Sequence, residues 1–218
     1  MLILSASDLK VHLMTNANAR ESAHPIDAMF LDRWSPRAFT EDVISEADLL
    51  TILEAARWAP SCFNVQPWRF LYARRGTAHW EKFLDLLIPF NRGWVKDAAA
   101  LIVLVSNSVS RPPGGDKDVP SYTHSLDAGT ASGYLALQAK RLGWHAHGMV
   151  GLDMDRAFKE LNVPAGYRVE AAYAIGRKGD PAQLPEQLRA REFPSDRLPL
   201  HELAFEGGFP AEPMRSRL

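Results

Sequence analysis

Ser45-Glu46-Ala47-Asp48-Leu49-Leu50-Thr51-Ile52-Leu53-Glu54-Ala55-Ala56-Arg57-Trp58-Ala59-Pro60-Ser61-Cys62-Phe63-Asn64-Val65-Gln66-Pro67-Trp68 contains a helix start, a helix stop, a polar loop and the entry to a strand in one run. Ser45 followed by Asp48 resembles a capping box with Asp in place of Glu, so the spacing predicts a helix from Ser45 to Trp58. Leu49, Ile52, Leu53 and Ala56 form its apolar face, and Pro60 marks its end. Ser61 to Pro67 then reads as a loop and Trp68 to Ala73 as a strand.

Downstream, a helix is expected over Thr77 to Leu87, with Trp80, Phe83, Leu84 and Leu87 on one side. The aliphatic run Ala99 to Val105 predicts a strand covered on both faces. Arg111 to Pro120, rich in Pro and Gly, reads as an exposed loop, mobile or acting as a lid. The longest helix spans Ser125 to Leu142 and stops at Gly143; Ala128, Ser132 and Ala136, beside Gly129 and Gly133, let another backbone approach it closely. Trp144 to Val150 and Arg168 to Ile175 read as strands around a helix from Asp153 to Leu161. After Gly176 the chain is Pro-rich and charged, with no core pattern. Upstream, Pro25 to Leu31 reads as a short helix and residues 1–23 as an N-terminal extension. Helices and strands occur without strict βαβ alternation, so the fold class is α+β in one domain.

The chain has 218 residues, 46% of them hydrophobic and 23% charged, with 25 basic and 26 acidic residues for a formal net charge of -1. A chain of this size buries about 70% of its unfolded surface, enough for a core that holds a cofactor. The near-zero charge leaves no electrostatic footprint for nucleic acid. No apolar run reaches the roughly 20 residues of a membrane span, and the run Met1 to Leu4 lacks the basic flank of a signal peptide. Cys62 is the one cysteine, which excludes a disulfide scaffold; a reducing cytoplasm is the simpler setting.

No G-x-G-x-x-G follows a strand, and no Walker-type phosphate loop, H-E-x-x-H or G-x-S-x-G occurs. His145 and His147 share a strand face, but no third metal ligand is signalled near them. Arg33-Trp34-Ser35-Pro36-Arg37 is more informative. Pro36 disfavours a helical Ser35, and an extended chain puts Arg33, Ser35 and Arg37 on one side, a donor set suited to a phosphate. The same residues also read as two solvated arginines. Asn64 and Gln66 each offer a donor and an acceptor, which matches the mixed edge of a flavin ring or its ribityl chain, and equally a polar loop bonded to its own backbone.

Arg33-x-Ser35-x-Arg37-x-Phe39 and Glu54-Ala-Ala-x-x-Ala59-Pro60-Ser61-x-x-Asn64-x-Gln66-Pro67-Trp68 together resemble the opening of the nitroreductase family of FMN-dependent oxidoreductases. The resemblance continues through Asp127-Ala-Gly129, Leu142-Gly143 and Gly151-Leu-Asp153, and covers residues 24 to 200. It implies an α+β fold with a central, mostly antiparallel sheet flanked by helices, over residues 24–205 with a C-terminal tail at 206–218. It also implies a homodimer with a long central interface helix and non-covalent FMN at the subunit interface. Residue by residue, Arg33, Ser35 and Arg37 match the family's phosphate and ring-edge contacts. Ser61 and Asn64 match positions reaching the flavin from the second subunit, with Gln66 in the same motif. Asn91, in Asn-x-x-Trp-x-x-Asp-Ala, resembles a position beside the flavin pyrimidine. Val150, followed by Gly151, falls where members present a backbone N–H to flavin N5, so the one catalytic contact is main-chain. Arg197 resembles a late arginine closing over the phosphate. Trp94 stands where some members have Lys, a departure that Lys96 is close enough in sequence to offset, and Cys62 is read as a packing residue.

The function expected from these residues is NAD(P)H-dependent reduction of nitro, quinone or other conjugated electron-poor small molecules by ping-pong hydride transfer. Two alternatives stand beside it. One is an FMN enzyme of the same fold acting without NAD(P)H, in dehydrogenation, reductive dehalogenation or flavin fragmentation. The other is a flavin-binding module without turnover.

Overall fold

The computed structural model describes residues 20–111 and 113–210. Most of the expected N-terminal extension (1–19) and the end of the expected tail (211–218) lie outside the described residues. Contacts divide the chain into two units, Arg33–Phe193 and one that joins the stretch ending at Asp32 to the stretch beginning at Pro194.

In the larger unit, Ser45 Oγ accepts the Asp48 N–H at 3.0 Å and starts α2 (Glu46–Arg57), which buries Leu49, Ile52, Leu53 and Ala56. Strand β1 (Trp68–Arg74) follows. The expected helix over Thr77 to Leu87 is shorter, α3 (Trp80–Asp85), and is followed by a helix the sequence reading did not assign, α4 (Pro89–Val95). Pro89 explains the break, because the residue before a proline avoids helical angles: Ile88 sits at φ -60, ψ 151. Strand β2 (Ala100–Asn107) leads into a two-stranded antiparallel pair, β3 (Val109–Ser110) and β4 (Val119–Pro120). The expected loop from Arg111 to Pro120 therefore ends in a strand, since Val119 and Pro120 pair with Ser110 and Val109. Helix α5 (His124–Arg141), β5 (His145–Met149), α6 (Met154–Glu160) and β6 (Tyr167–Gly176) complete the frame before α7 (Glu186–Arg189).

The sheet order is β1-β2-β6-β5, antiparallel at every pairing. Strand β2 feeds both cores, as period-two alternation demands. Leu101, Val103 and Val105 face α3, α4 and α6, while Ala100, Ile102 and Leu104 face α2 and α5. Leu184 and Leu188 join the first of these cores, so the segment after Gly176 does carry core residues, contrary to its Pro-rich sequence. Five tryptophans, 34, 68, 80, 94 and 144, are buried, whereas Trp58 is 70% exposed at the end of α2.

The β2–β6 register slips between Leu104 and Val105, which leaves Glu170 unpaired and turned towards α5. Its Oε1 accepts from Ser106 Oγ at 2.5 Å and Ser125 Oγ at 2.8 Å, and Ser106 Oγ lies 2.7 Å from His124 Nδ1. This network ties the first turn of α5 to the sheet.

In the smaller unit, α1 (Ala28–Asp32) is followed closely in space by Arg20, whose guanidinium donates to the Leu31 carbonyl at 3.0 Å and to the Ser195 carbonyl at 2.9 Å.

Candidate functional site

From Arg33 to Ala38 the chain forms neither helix nor strand and bends at Arg37, and burial alternates: Trp34, Pro36 and Ala38 are buried while Arg33, Ser35 and Arg37 are half-buried. The three donors therefore form one strip, with Arg33 Nη1 3.4 Å from Ser35 Oγ. Its underside is fixed from several directions. His147 Nδ1 donates to the Pro36 carbonyl at 3.0 Å, and its ring lies 4.6 Å from that of Trp94, which in turn is 6.2 Å from Phe39. Phe39 occupies the space that a Cβ on Gly176 would need.

Burial lowers the pKa of His147 to about 4 against the partial support of the Pro36 carbonyl. It lowers His145 to about 4 as well, with the Lys140, Lys178 and Arg33 charges adding to the effect. Both rings are neutral near pH 7, and His147 acts as a wedge under the strip.

Glu192, from the segment after α7, reaches the same strip. Its Oε1 accepts the backbone N–H of Arg37 at 2.6 Å and of Ala38 at 2.8 Å, and its Oε2 lies 3.7 Å from Arg37 Nη1. Arg37 has its pKa lowered, chiefly by desolvation, with Glu192 pulling the other way.

A second group forms where α4 meets the end of β5. Asn91, 8% exposed, donates from Nδ2 to the Gly151 carbonyl at 3.0 Å, and the same carbonyl accepts the Ile88 N–H at 3.2 Å. A Cβ on Gly151 would collide with Asn91 Nδ2 and Ile88 Cδ1, so glycine is required by close approach. Val150 turns its side chain out at 70% exposure, and among the described residues no acceptor meets its N–H. Helix α4 and strand β5 join this corner to the arginine strip, since Trp94 and His147 lie three residues from Asn91 and Val150 respectively. Trp94 is a core residue here and Lys96 is exposed.

The loop Ser61 to Pro67 is a third group. Phe63 (φ 49), Asn64 (φ 56) and Gln66 (φ 52) all occupy the left-handed region, an uncommon concentration for non-glycine residues. Each such residue costs on the order of 1–3 kcal/mol, a strain that persists where the surroundings impose it. Here Ser61 Oγ accepts the Gln66 N–H at 2.9 Å, Gln66 Nε2 donates to the Asn64 carbonyl at 3.1 Å, and Asp127 Oδ2 on α5 accepts the Cys62 N–H at 3.3 Å. The hydrogen bonds of Ser61, Asn64 and Gln66 run within the loop and to Arg69 rather than to the strip or the Asn91 corner. The side chains of Cys62, Phe63 and Asn64 stand exposed.

Arg197 belongs to the smaller unit, where its Nη1 donates to the Ser195 carbonyl at 3.2 Å and the Asp196 carbonyl at 3.0 Å. Sequence reasoning missed Glu192 and the anchoring of the loop by Asp127. The first sits in a segment without a core pattern, and the second carries no local signal beyond its place in Asp127-Ala-Gly129.

Comparison with known proteins gives a consistent result. The nitroreductase family model matches residues 31–177. A crystal structure of an oxidoreductase containing FMN is 48% identical, with a TM-score of 0.86 over 91% of this chain and 100% of that one. A Mycolicibacterium smegmatis protein known as the uncharacterized 15.4 kDa protein in the ask 5' region is 34% identical over 147 residues, 64% of this chain and 95% of that protein. The NADH dehydrogenase of Thermus thermophilus is 25% identical over 200 residues, 79% of this chain and 91% of that enzyme.

Proposed function

Because the chain belongs to the nitroreductase family, and is an oxidoreductase of that family's fold, we propose that it binds FMN and uses NAD(P)H to reduce nitro, quinone or other conjugated electron-poor small molecules. The observation that carries this reading is the strip of half-buried Arg33, Ser35 and Arg37, on a segment whose main chain is locked by His147 and Glu192. Guanidinium forks and a hydroxyl suit a phosphomonoester, because each fork matches paired oxygens. The relative containing FMN and the NADH dehydrogenase support the flavin and the nicotinamide donor in turn.

The residues fit the group on a further count: among the described residues no acceptor takes the Val150 N–H, which is available as a donor. On this reading Arg33, Ser35 and Arg37 hold the phosphate. Asn91, Gly151 and the Val150 N–H border the ring. Ser61, Asn64 and Gln66 serve the ring of a second subunit, which makes the enzyme a homodimer. FMN, when bound, supplies the two-electron chemistry. The protein would orient it: the main-chain N–H of Val150 would donate to the flavin ring, and the buried Trp94 closes the core beneath the strip. With no separate dinucleotide fold among the described residues, donor and acceptor would use one site in turn, so ping-pong kinetics are expected. The setting is cytoplasmic, in keeping with a lone cysteine.

Two measurements test the reading. Mass analysis of heat-released cofactor should return FMN, and full occupancy by FAD would sink the phosphate assignment. NADH or NADPH under nitrogen should bleach the bound flavin, with steady oxidation once a quinone is added. Bleaching by neither nicotinamide would favour a relative that works without NAD(P)H.

A further inference from the structure

Glu192 stands out among the buried polar groups. Its carboxylate is 1% exposed, it comes from the second-to-last residue of its unit, and it crosses 155 sequence positions to reach Arg37. Oε1 takes two successive backbone N–H groups, those of Arg37 and Ala38. In a straight strand, successive amides point to opposite sides, so both can meet one oxygen only where the chain bends. The chain does bend at Arg37. That bend sets the direction in which the Arg37 side chain leaves the strip. The other oxygen, Oε2, is buried with no hydrogen-bond partner, 3.7 Å from Arg37 Nη1. Glu192 thus holds the main chain with one oxygen and pairs with the guanidinium through the other.

We propose that Glu192 is a positioning residue for Arg37: by latching the Arg37 and Ala38 amides it aims the guanidinium at a phosphomonoester, so that the protein prefers FMN to riboflavin. The inference rests on the phosphate reading of Arg37. It assigns the aiming to hydrogen bonds from the main chain, with the nearby charge compensated by Arg37 itself. Two substitutions separate these parts. Glu192→Gln retains an oxygen for the two amides, whereas Glu192→Ala removes it.

The experiment measures dissociation constants for FMN and riboflavin, from the recovery of flavin fluorescence when holoprotein is diluted, before and after exchange of the cofactor. The readout is the ratio of the two constants. Arg37→Gln, which leaves Glu192 a hydrogen-bond donor instead of a bare cavity, should lower the preference for FMN. Glu192→Ala should lower it about tenfold, the loss expected for one misplaced charge-assisted bond. Glu192→Gln should keep it within about threefold of the parent, since hydrogen-bond geometry survives. Riboflavin affinity should stay constant throughout, and Glu192→Ala should cause no further loss when Arg37→Gln is already present, because the two act on one contact. Equal weakening of FMN and riboflavin by Glu192→Ala would show a merely structural role and overturn the proposal, as would independent, additive losses or an equal loss in Glu192→Gln. If Arg37→Gln keeps the full FMN preference, the phosphate reading itself fails, and the positioning role with it. A preference lost in Arg37→Gln but kept in Glu192→Ala removes the positioning role alone.

Discussion

Gly151 and Asn91 share one space: the amide of Asn91 lies where a side chain on residue 151 would begin, and it donates to the Gly151 carbonyl. Gly151→Ala should displace Asn91 and leave a buried amide without its acceptor, at a cost of about 1–3 kcal/mol. Urea unfolding of the holoprotein and of the variant checks this; an unchanged midpoint would mean the corner yields freely. In the sequence the pair reads as two unrelated positions, because a close approach between residues 60 apart has no local signature. The alternation of Arg33, Ser35 and Arg37 was legible, since Pro36 keeps Ser35 out of helical angles, while the bend at Arg37 and its hold by Glu192 were not. A buried glutamate and a solvated one look alike until the fold brings them to a partner.

Elements with local punctuation are the ones the sequence announces. Ser45 and Pro60 bracket α2, and Gly143 at φ 78 ends α5, each for reasons confined to a few neighbouring residues. Helix α4 is bracketed only by Pro89, which also disguises it as the end of the preceding helix, and α7 with Leu184 and Leu188 hides in a run of prolines and charges. Helix α5 carries the element-scale prediction. It buries Ala128, Ala131, Leu135 and Ala139, while Leu126 is 70% and Tyr134 41% exposed on another side. A Cβ on Gly129 or Gly133 would meet nothing within 4 Å. Gly133 is exposed, so Gly133→Leu starts its side chain in open space and gains up to about 1 kcal/mol of helix propensity. If α5 forms the subunit interface, this variant should weaken the dimer in light scattering while its helical circular dichroism stays intact. A dimer of unchanged strength, or a parent protein that is a monomer, would count against an interface on this helix.

At the scale of the whole molecule, His145 and His147 make stability depend on acid. Both have pKa values lowered from 6.5 to about 4 in the fold. Below about pH 6.5 the unfolded chain takes up protons that the folded chain refuses, so stability falls as pH drops and levels off only near pH 4, where both states are charged. Unfolding free energies from urea titrations across that range should decline steeply, and less so in His147→Gln. A flat profile would show that the two rings titrate normally. The distribution of tryptophan also has an optical consequence. Among the six indoles, only that of Trp58 meets solvent, hydrogen-bonded to Glu54 at 2.9 Å and covered by Arg57 at 5.0 Å. It stands just ahead of the strained loop, so a collisional quencher such as iodide has a single lamp within reach, and the light it extinguishes reports on that loop while the other five report on the core.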